Sequence, residues 1–219
     1  MAEDGGPATL LIACALSIER LALRGGDRTG APRALTVLRT GMGPRSAERA
    51  VLRGLRRADP YAVGTPVLAT GFCAALAPGM RPGDLVVAAE TRDRIGRVPC
   101  AGTAALAGAL AGRAGRARSG TAVHTGPLAG TDHLVRGAER ARLHATGAIA
   151  ADMESAAVLR TALAAGPRPV AAVRVVVDTP ERELARGGTV LGGISAFRVL
   201  RTVLPAFYEW HRSLPLPRR

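Results

Sequence analysis

Lysine is missing from this chain. All 30 basic residues are arginine, set against 17 acidic ones for a formal net charge of +13. A surplus of that size suits nucleic acid or an anionic membrane as a partner. Aromatic residues are only 3% of the chain, which leaves few rings on which to stack bases. Codon bias in a GC-rich genome accounts for the missing lysine, and no nucleic-acid partner is expected. Cysteine is scarce as well. Cys14, Cys73 and Cys100 form no C-x-x-C pair, and the four histidines lack ligand spacing. Reduced, buried thiols in a cytoplasmic protein are expected, with no metal site. No run approaches the roughly 18 apolar residues that a spanning helix needs. Leu11-Ile12-Ala13-Cys14 resembles a lipoprotein cleavage box, but Met1-Ala2-Glu3-Asp4 is acidic and the apolar run short, so export is not expected.

What is present reads as a folded protein. Hydrophobic residues are 47% and charged residues 21% of 219, with no internal repeat and no linker rich in Gly, Pro and Ser. One domain spanning 1–219 is expected. Short runs rich in β-branched residues read as strands: Thr9–Ala15, Leu35–Arg39, Pro66–Thr70, Asp84–Ala88, Thr121–His124, Ala148–Ala151 and Val170–Val177. Between them Ala/Arg/Leu segments read as helices: a short one closed by Gly25-Gly26, then Arg45–Ala58, Gly102–Ala114, Ala138–Ala145, Glu154–Ala165 and Ser195–Arg212. Several strands are continuously apolar, as in sheets covered on both faces. The expected class is α/β: a mixed central sheet flanked by helices. The polar loop Arg92–Cys100 reads as a mobile flap.

Ligands in such sheets bind beyond the carboxyl ends of strands. Carboxylates follow three of the apolar runs directly: Glu19 after the first, Asp152 and Glu154 after Gly147–Ala151, and Asp178 after Val173–Val177. Converging in one crevice, such groups can divide acid, base and hydroxyl-binding roles, burial raising one pKa while another group stays ionised. Each alone reads equally as a helix cap or an arginine partner, Asp152 especially as a carboxylate at a helix N-terminus. The turn Gly41-Met42-Gly43-Pro44 with Arg45 beside it offers backbone N–H groups to a phosphate, or is simply a strand-to-helix turn.

Four stretches together resemble the purine nucleoside phosphorylase and nucleosidase superfamily. Ala69-Thr70-Gly71-Phe72-Cys73-Ala74-Ala75-Leu76-Ala77-Pro78-Gly79-Met80-Arg81-Pro82-Gly83-Asp84-Leu85-Val86-Val87 is similar to its glycine-rich turn and "P-G-x-x-P-G-D-x-V" stretch. Ala151-Asp152-Met153-Glu154-Ser155-Ala156-Ala157 resembles its "D-M-E-[SG]-A-A" ribose motif. Val173-Arg174-Val175-Val176-Val177-Asp178 resembles its "R-x-I-S-D" strand, and Cys14-Ala15-Leu16-Ser17-Ile18-Glu19 its first-strand glutamate motif. Within the superfamily, Gly126–Val135 and Ala138–Ala148 most resemble the hopanoid-associated phosphorylases, or adenosylhopane nucleosidases.

The resemblance implies a nucleoside phosphorylase-like fold and cleavage of a purine nucleoside, adenosylhopane in that subfamily. It implies Asp178 as the acid facing the purine and Glu19 as the group that orients water or the ribose 5′ side. Glu154 would hold the ribose hydroxyls and Met153 pack on the sugar face, with Gly71 and Phe72 in the substrate wall. Phe72 stands where many members carry a small residue, and Val177 where serine is usual. No cofactor is implied; phosphate as co-substrate, and so phosphorolysis against hydrolysis, stays open. A homo-oligomer is implied as well. A nucleosidase for methylthioadenosine, adenosylhomocysteine or futalosine is the alternative, as is a non-catalytic basic nucleotide-binding module.

Phe197, Phe207, Tyr208 and Trp210 gather in the C-terminal segment, where Ala196, Leu200, Val203, Leu204, Phe207 and His211 form one helical stripe. Pro205, on the opposite polar face, should kink or interrupt the helix. This segment reads as the closing helix of the fold. With the tail Leu214–Arg219 it also offers peripheral contact to an anionic membrane holding a lipid-linked substrate.

Overall fold

The computed structural model describes residues 9–58, 64–116, 120–180 and 189–215. The element order is β1 (Thr9–Cys14), α1 (Ser17–Arg24), β2 (Ala34–Arg39), α2 (Pro44–Ala58), β3 (Val67–Ala75), β4 (Leu85–Arg92), β5 (Arg97–Pro99), α3 (Thr103–Arg116), β6 (Val123–Gly130), α4 (Ala138–Ala145), β7 (Ala150–Asp152), α5 (Ser155–Ala164), β8 (Val170–Asp178), α6 (Thr189–Thr202) and α7 (Leu204–Ser213). All the strands join one mixed sheet, as expected. β1 pairs in parallel with β2 and β3, whereas β7 meets β3 and β4 meets β8 antiparallel. Parallel pairings β3–β8, β4–β6 and β6–β7 complete a ring of β3, β8, β4, β6 and β7.

The continuous apolar runs are buried on both faces, and the two-residue period of a strand sorts them. In β1, Leu10 and Ile12 join a core with Leu106, Leu200, Phe207 and Trp210, drawn from α3, α6 and α7. Leu11 and Ala13 point the other way, into a core with Val51, Leu55, Val158 and Leu159 of α2 and α5. The strand ends, where carboxylates follow, open between these layers.

The structure departs from expectation in three places. β3, β4 and β6 continue for several residues past the apolar runs that reveal them, because pairing needs no apolar side chain. The expected flap Arg92–Cys100 is a pinned hairpin: β5 pairs antiparallel with the end of β4. Asp93 at its turn accepts the N–H groups of Ile95 (2.8 Å) and Gly96 (3.1 Å) and the guanidinium of Arg160 (2.5 Å). The C-terminal segment is two helices broken at Val203, with Pro205 in the first turn of α7, where its missing N–H costs nothing. Pro205 is buried rather than on a polar face. Phe207, Tyr208 and Trp210 are core residues, and the Trp210 indole N–H donates to the Ala101 carbonyl at 2.8 Å. Arg198, Arg201 and Arg212 face outward. Of the expected membrane-facing tail, Leu214 is buried and residues 216–219 lie outside the described residues, as does the acidic segment 1–4. Among the described residues no helix is long and apolar enough to cross a membrane.

Candidate active site

A cavity of about 320 Å³ opens where the strands end. Glu19, Phe72, Met153, Glu154 and Asp178, five of the six residues expected in the site, line it. The sixth, Gly71, lies behind the wall rather than in it. Its φ is +134°, and a Cβ there would stand 2.4 Å from Glu19 Oε1 and 2.7 Å from Arg174 Nη1. Gly71 is therefore needed for the approach of these two side chains.

Glu19 is both a first-turn helix carboxylate and a cavity residue. From α1 its Oε2 accepts the N–H groups of Ala15 and Leu16, each at 2.8 Å, and its Oε1 accepts that of Phe72 at 2.8 Å. Burial raises its pKa, against the lowering effect of Arg174 and these N–H groups. Glu154, just ahead of α5, accepts the Gly43 N–H at 2.8 Å. The glycine turn before α2 is thus a carboxylate holder, and Met42 within it lines the cavity. Burial pushes the Glu154 carboxyl up to about 7; the neighbouring Asp152 and Glu19 charges add to this, while Arg174 and the Gly43 N–H oppose it. Asp152 behaves as expected of a helix N-terminal carboxylate, accepting the Ser155 N–H at 2.9 Å.

Sequence reasoning missed two arginines that organise these groups. Arg174, inside apolar β8, is 1% exposed. It meets Asp152 at 2.5 Å, donates to Ser155 Oγ at 2.9 Å and to the Thr70 carbonyl at 3.0 Å. Burial disfavours its charge, but Asp152, Glu154 and Glu19 outweigh that and raise its pKa. A lone arginine in an apolar strand was the available signal, since a buried charge needs partners. Arg140 of α4 is 3% exposed, forms an ion pair with Asp178, and donates to the Ala75 carbonyl at 2.8 Å. No sequence signal separates it from its neighbours Arg136 and Arg142, which are exposed.

The remaining walls are mostly apolar: Leu16, Met42, Leu134, Val135 and Val177. Cys73 also lines the cavity, its thiol pushed up by burial. At the mouth, on the 131–137 loop, His133 bridges Asp132 (2.7 Å) and Glu139 (3.0 Å), which raise its pKa. Arg136 stands beside it. The arrangement sets carboxylates in a mostly apolar chamber, where burial holds Glu19 and Glu154 readier to take a proton than in water.

Fold and site together define an α/β domain whose buried carboxylates gather in one cavity at the strand ends. Residues 32–190 match the model of the phosphorylase superfamily, and the chain belongs to that family. Similar solved structures include 5′-methylthioadenosine/S-adenosylhomocysteine nucleosidase from Neisseria meningitidis in complex with methylthio-immucillin-A. It is 20% identical with a TM-score of 0.70, over 90% of this chain and 99% of that one. Futalosine hydrolase of Helicobacter pylori is 14% identical with a TM-score of 0.71, over 90% and 96%. The S. pneumoniae methylthioadenosine/adenosylhomocysteine nucleosidase with a transition-state inhibitor is 19% identical with a TM-score of 0.70, over 92% and 98%. No curated protein matches the chain.

Proposed function

We propose that this protein hydrolyses the N-glycosidic bond of a purine nucleoside bearing an apolar 5′ substituent, with adenosylhopane as the leading candidate. The observation that carries the reading is the convergence of Glu19, Glu154 and Asp178 on one largely apolar cavity that Met153 also lines. Glu154 would hold the ribose hydroxyls by charge-assisted hydrogen bonds, and Met153 would pack on the sugar face. As the C1′–N9 bond breaks, its electron pair passes to the purine and Asp178 delivers a proton to N7. Water adds its oxygen to C1′ and gives one proton to Glu19, whose elevated pKa makes it a stronger base than a solvated carboxylate.

Water rather than phosphate is favoured as nucleophile. The Gly43 N–H, one of the turn amides offered to a phosphate, is engaged with Glu154. Glu19, Asp152 and Glu154, which line the cavity, would repel a dianion there. The apolar substituent is favoured by the mouth, where Met42 is 57% and Leu134 52% exposed beside Phe72. Small soluble nucleosides are the second reading, favoured by the names of the similar structures, methylthioadenosine/adenosylhomocysteine nucleosidase and futalosine hydrolase.

The test is incubation with each nucleoside, with and without phosphate, following free base and sugar product. Release of free base and free sugar from adenosylhopane, unchanged by phosphate, is expected. A sugar 1-phosphate would overturn hydrolysis; faster release from the soluble nucleosides would select the second reading. No base from any of them would favour a nucleotide-binding module. Peripheral contact with an anionic membrane would run through Arg198, Arg201 and Arg212. Salt-sensitive co-sedimentation with anionic liposomes tests it. A homo-oligomer is also proposed, on the exposed Met42 and Leu134 that line the cavity; light scattering reads its mass.

A further inference from the structure

The 131–137 loop, which joins β6 to α4, walls one side of the cavity through His133, Leu134, Val135 and Arg136. It is held to the core at two points. The Thr131 N–H donates to the Asp152 carbonyl at 2.8 Å, and Val135, 4% exposed, packs with Leu76, Ala129, Ala148 and Ala151. Between these points stands His133, its side chain 57% exposed. Its Nδ1 lies 2.7 Å from Asp132 Oδ1, and its Nε2 lies 3.0 Å from both carboxyl oxygens of Glu139, in the first turn of α4. Arg94 of the β4–β5 hairpin holds the other Asp132 oxygen at 3.1 Å. The ring thus ties the loop to α4 directly and stands beside its tie to the hairpin.

Both ring nitrogens face carboxylate acceptors. Only the imidazolium satisfies both, because a neutral imidazole carries a single N–H. When the ring loses its proton to solvent, one nitrogen presents a lone pair to a carboxylate and that contact breaks. Charged groups surround the ring. Asp132 and Arg136 are on its own loop, Glu139 is on α4, and Asp93 and Arg94 are on the hairpin. A second cavity of about 450 Å³, which His133 also lines, adds Arg45 and Glu48 of α2 and Arg160 of α5. Arg160 is paired with Asp93 and Glu48. On the active-site side Glu19, Asp152, Glu154 and Asp178 share the cavity lining. The carboxylates of Asp132 and Glu139, in contact with the ring, raise its pKa above the ordinary 6.5.

We propose that His133 is a pH-sensitive latch on the cavity mouth: its cation fixes the 131–137 loop against α4, and its neutral form lets that wall loosen. For its effect on catalysis the proposal rests on the nucleosidase reading. Leu134, the next residue in the chain and 52% exposed, moves with the ring. Thr131 and Val135 keep their attachments in both states, so the wall loosens while the fold persists. Substrate should therefore bind more tightly at lower pH, where the latch is closed.

The latch is read without substrate. Trypsin cleavage after Arg136, measured against a free peptide of residues 131–137 and against cuts elsewhere in the chain, reports loosening of the loop at each pH. With only four histidines in the chain, proton NMR follows His133, its signal being the one lost in His133→Gln. Between about pH 6 and about pH 9 cleavage should rise at least about threefold, the scale of an exposed ion pair, with the midpoint of the His133 titration. His133→Gln should be cut at the fast rate at every pH. Glu139→Gln should be cut slowly at every pH, because an amide pairs with the ring in either form. Wild-type cleavage that does not change with pH, or a midpoint more than one pH unit from that of His133, overturns the latch whether or not the variants fold.

With the best nucleoside, the measurement is KM against pH. The ratio of KM in His133→Gln to that of the wild type should be at least about threefold below the His133 midpoint and approach one above it, with KM rather than kcat carrying the effect. A ratio that is constant with pH overturns the regulatory half of the proposal even where the loop loosens. If no nucleoside is cleaved, the nucleosidase reading fails, and proteolysis and NMR still decide the latch.

Discussion

Replacing Glu154 with glutamine should make the protein more stable and less active. The carboxyl is 7% exposed and is pushed from 4.5 up to about 7, chiefly by burial. The folded state therefore holds on to the Glu154 proton more tightly than the unfolded chain does. Between pH 4.5 and 7 the folded state binds more protons, so stability falls as pH rises through that window. At about 1.4 kcal/mol per unit, the shift corresponds to at most about 3 kcal/mol lost by pH 8. Glutamine cannot ionise, and its amide oxygen can still accept the Gly43 N–H that Glu154 accepts at 2.8 Å. The two proteins should match near pH 4.5 and diverge above it, the variant gaining up to about 3 kcal/mol, or very roughly 6–12 °C in Tm. Urea unfolding at a series of pH values measures the difference directly. The slope should be reduced rather than abolished, because burial also raises the pKa of Glu19, which acts in the same direction. A stability difference that does not change with pH would refute the reasoning. Activity should fall in the same variant through weaker hold on the ribose.

Three further outcomes follow from the site and the core. Glu19→Gln should lower kcat by about 10²–10⁴-fold with little change in KM, as expected on removing a general base; steady-state rates on the best nucleoside check this. Gly71→Ala puts a methyl group 2.4 Å from Glu19 Oε1 at a positive φ, so Glu19 and Arg174 must move; a loss of both stability and activity is expected, read by urea unfolding and base release. Trp210→Ala removes a side chain with 0% exposure and its hydrogen bond to Ala101, and should cost about 3–5 kcal/mol in urea unfolding.

Much of the molecule was legible without coordinates. Apolar runs such as Leu10–Ala15 and Val170–Val177 revealed the central strands, since a sheet covered on both faces demands apolar side chains in both directions. Carboxylates following those runs identified Glu19, Asp152, Glu154 and Asp178, because strand ends are where an α/β sheet opens. β5 was hidden, as a three-residue edge strand made of Arg97, Val98 and Pro99 carries no periodic signal. Pro205 was assigned to a polar face because one continuous helix was assumed; the break at Val203 resets the angular position of every residue after it. Gly71 entered the substrate wall by its motif; that any side chain there would run into Glu19 and Arg174 is visible only in three dimensions.

The amino-acid sequence by itself determined the fold class, the strand ends that carry chemistry and the acids standing there, all of them properties of local order along the chain. Only the tertiary structure decided which of the arginines matter. Arg136, Arg140 and Arg142 are alike in sequence, yet one alone enters the interior, and it meets a carboxylate 38 residues away. Electrostatic pairing depends on distance through space and on exclusion of water, and neither is written in the spacing of residues along a chain.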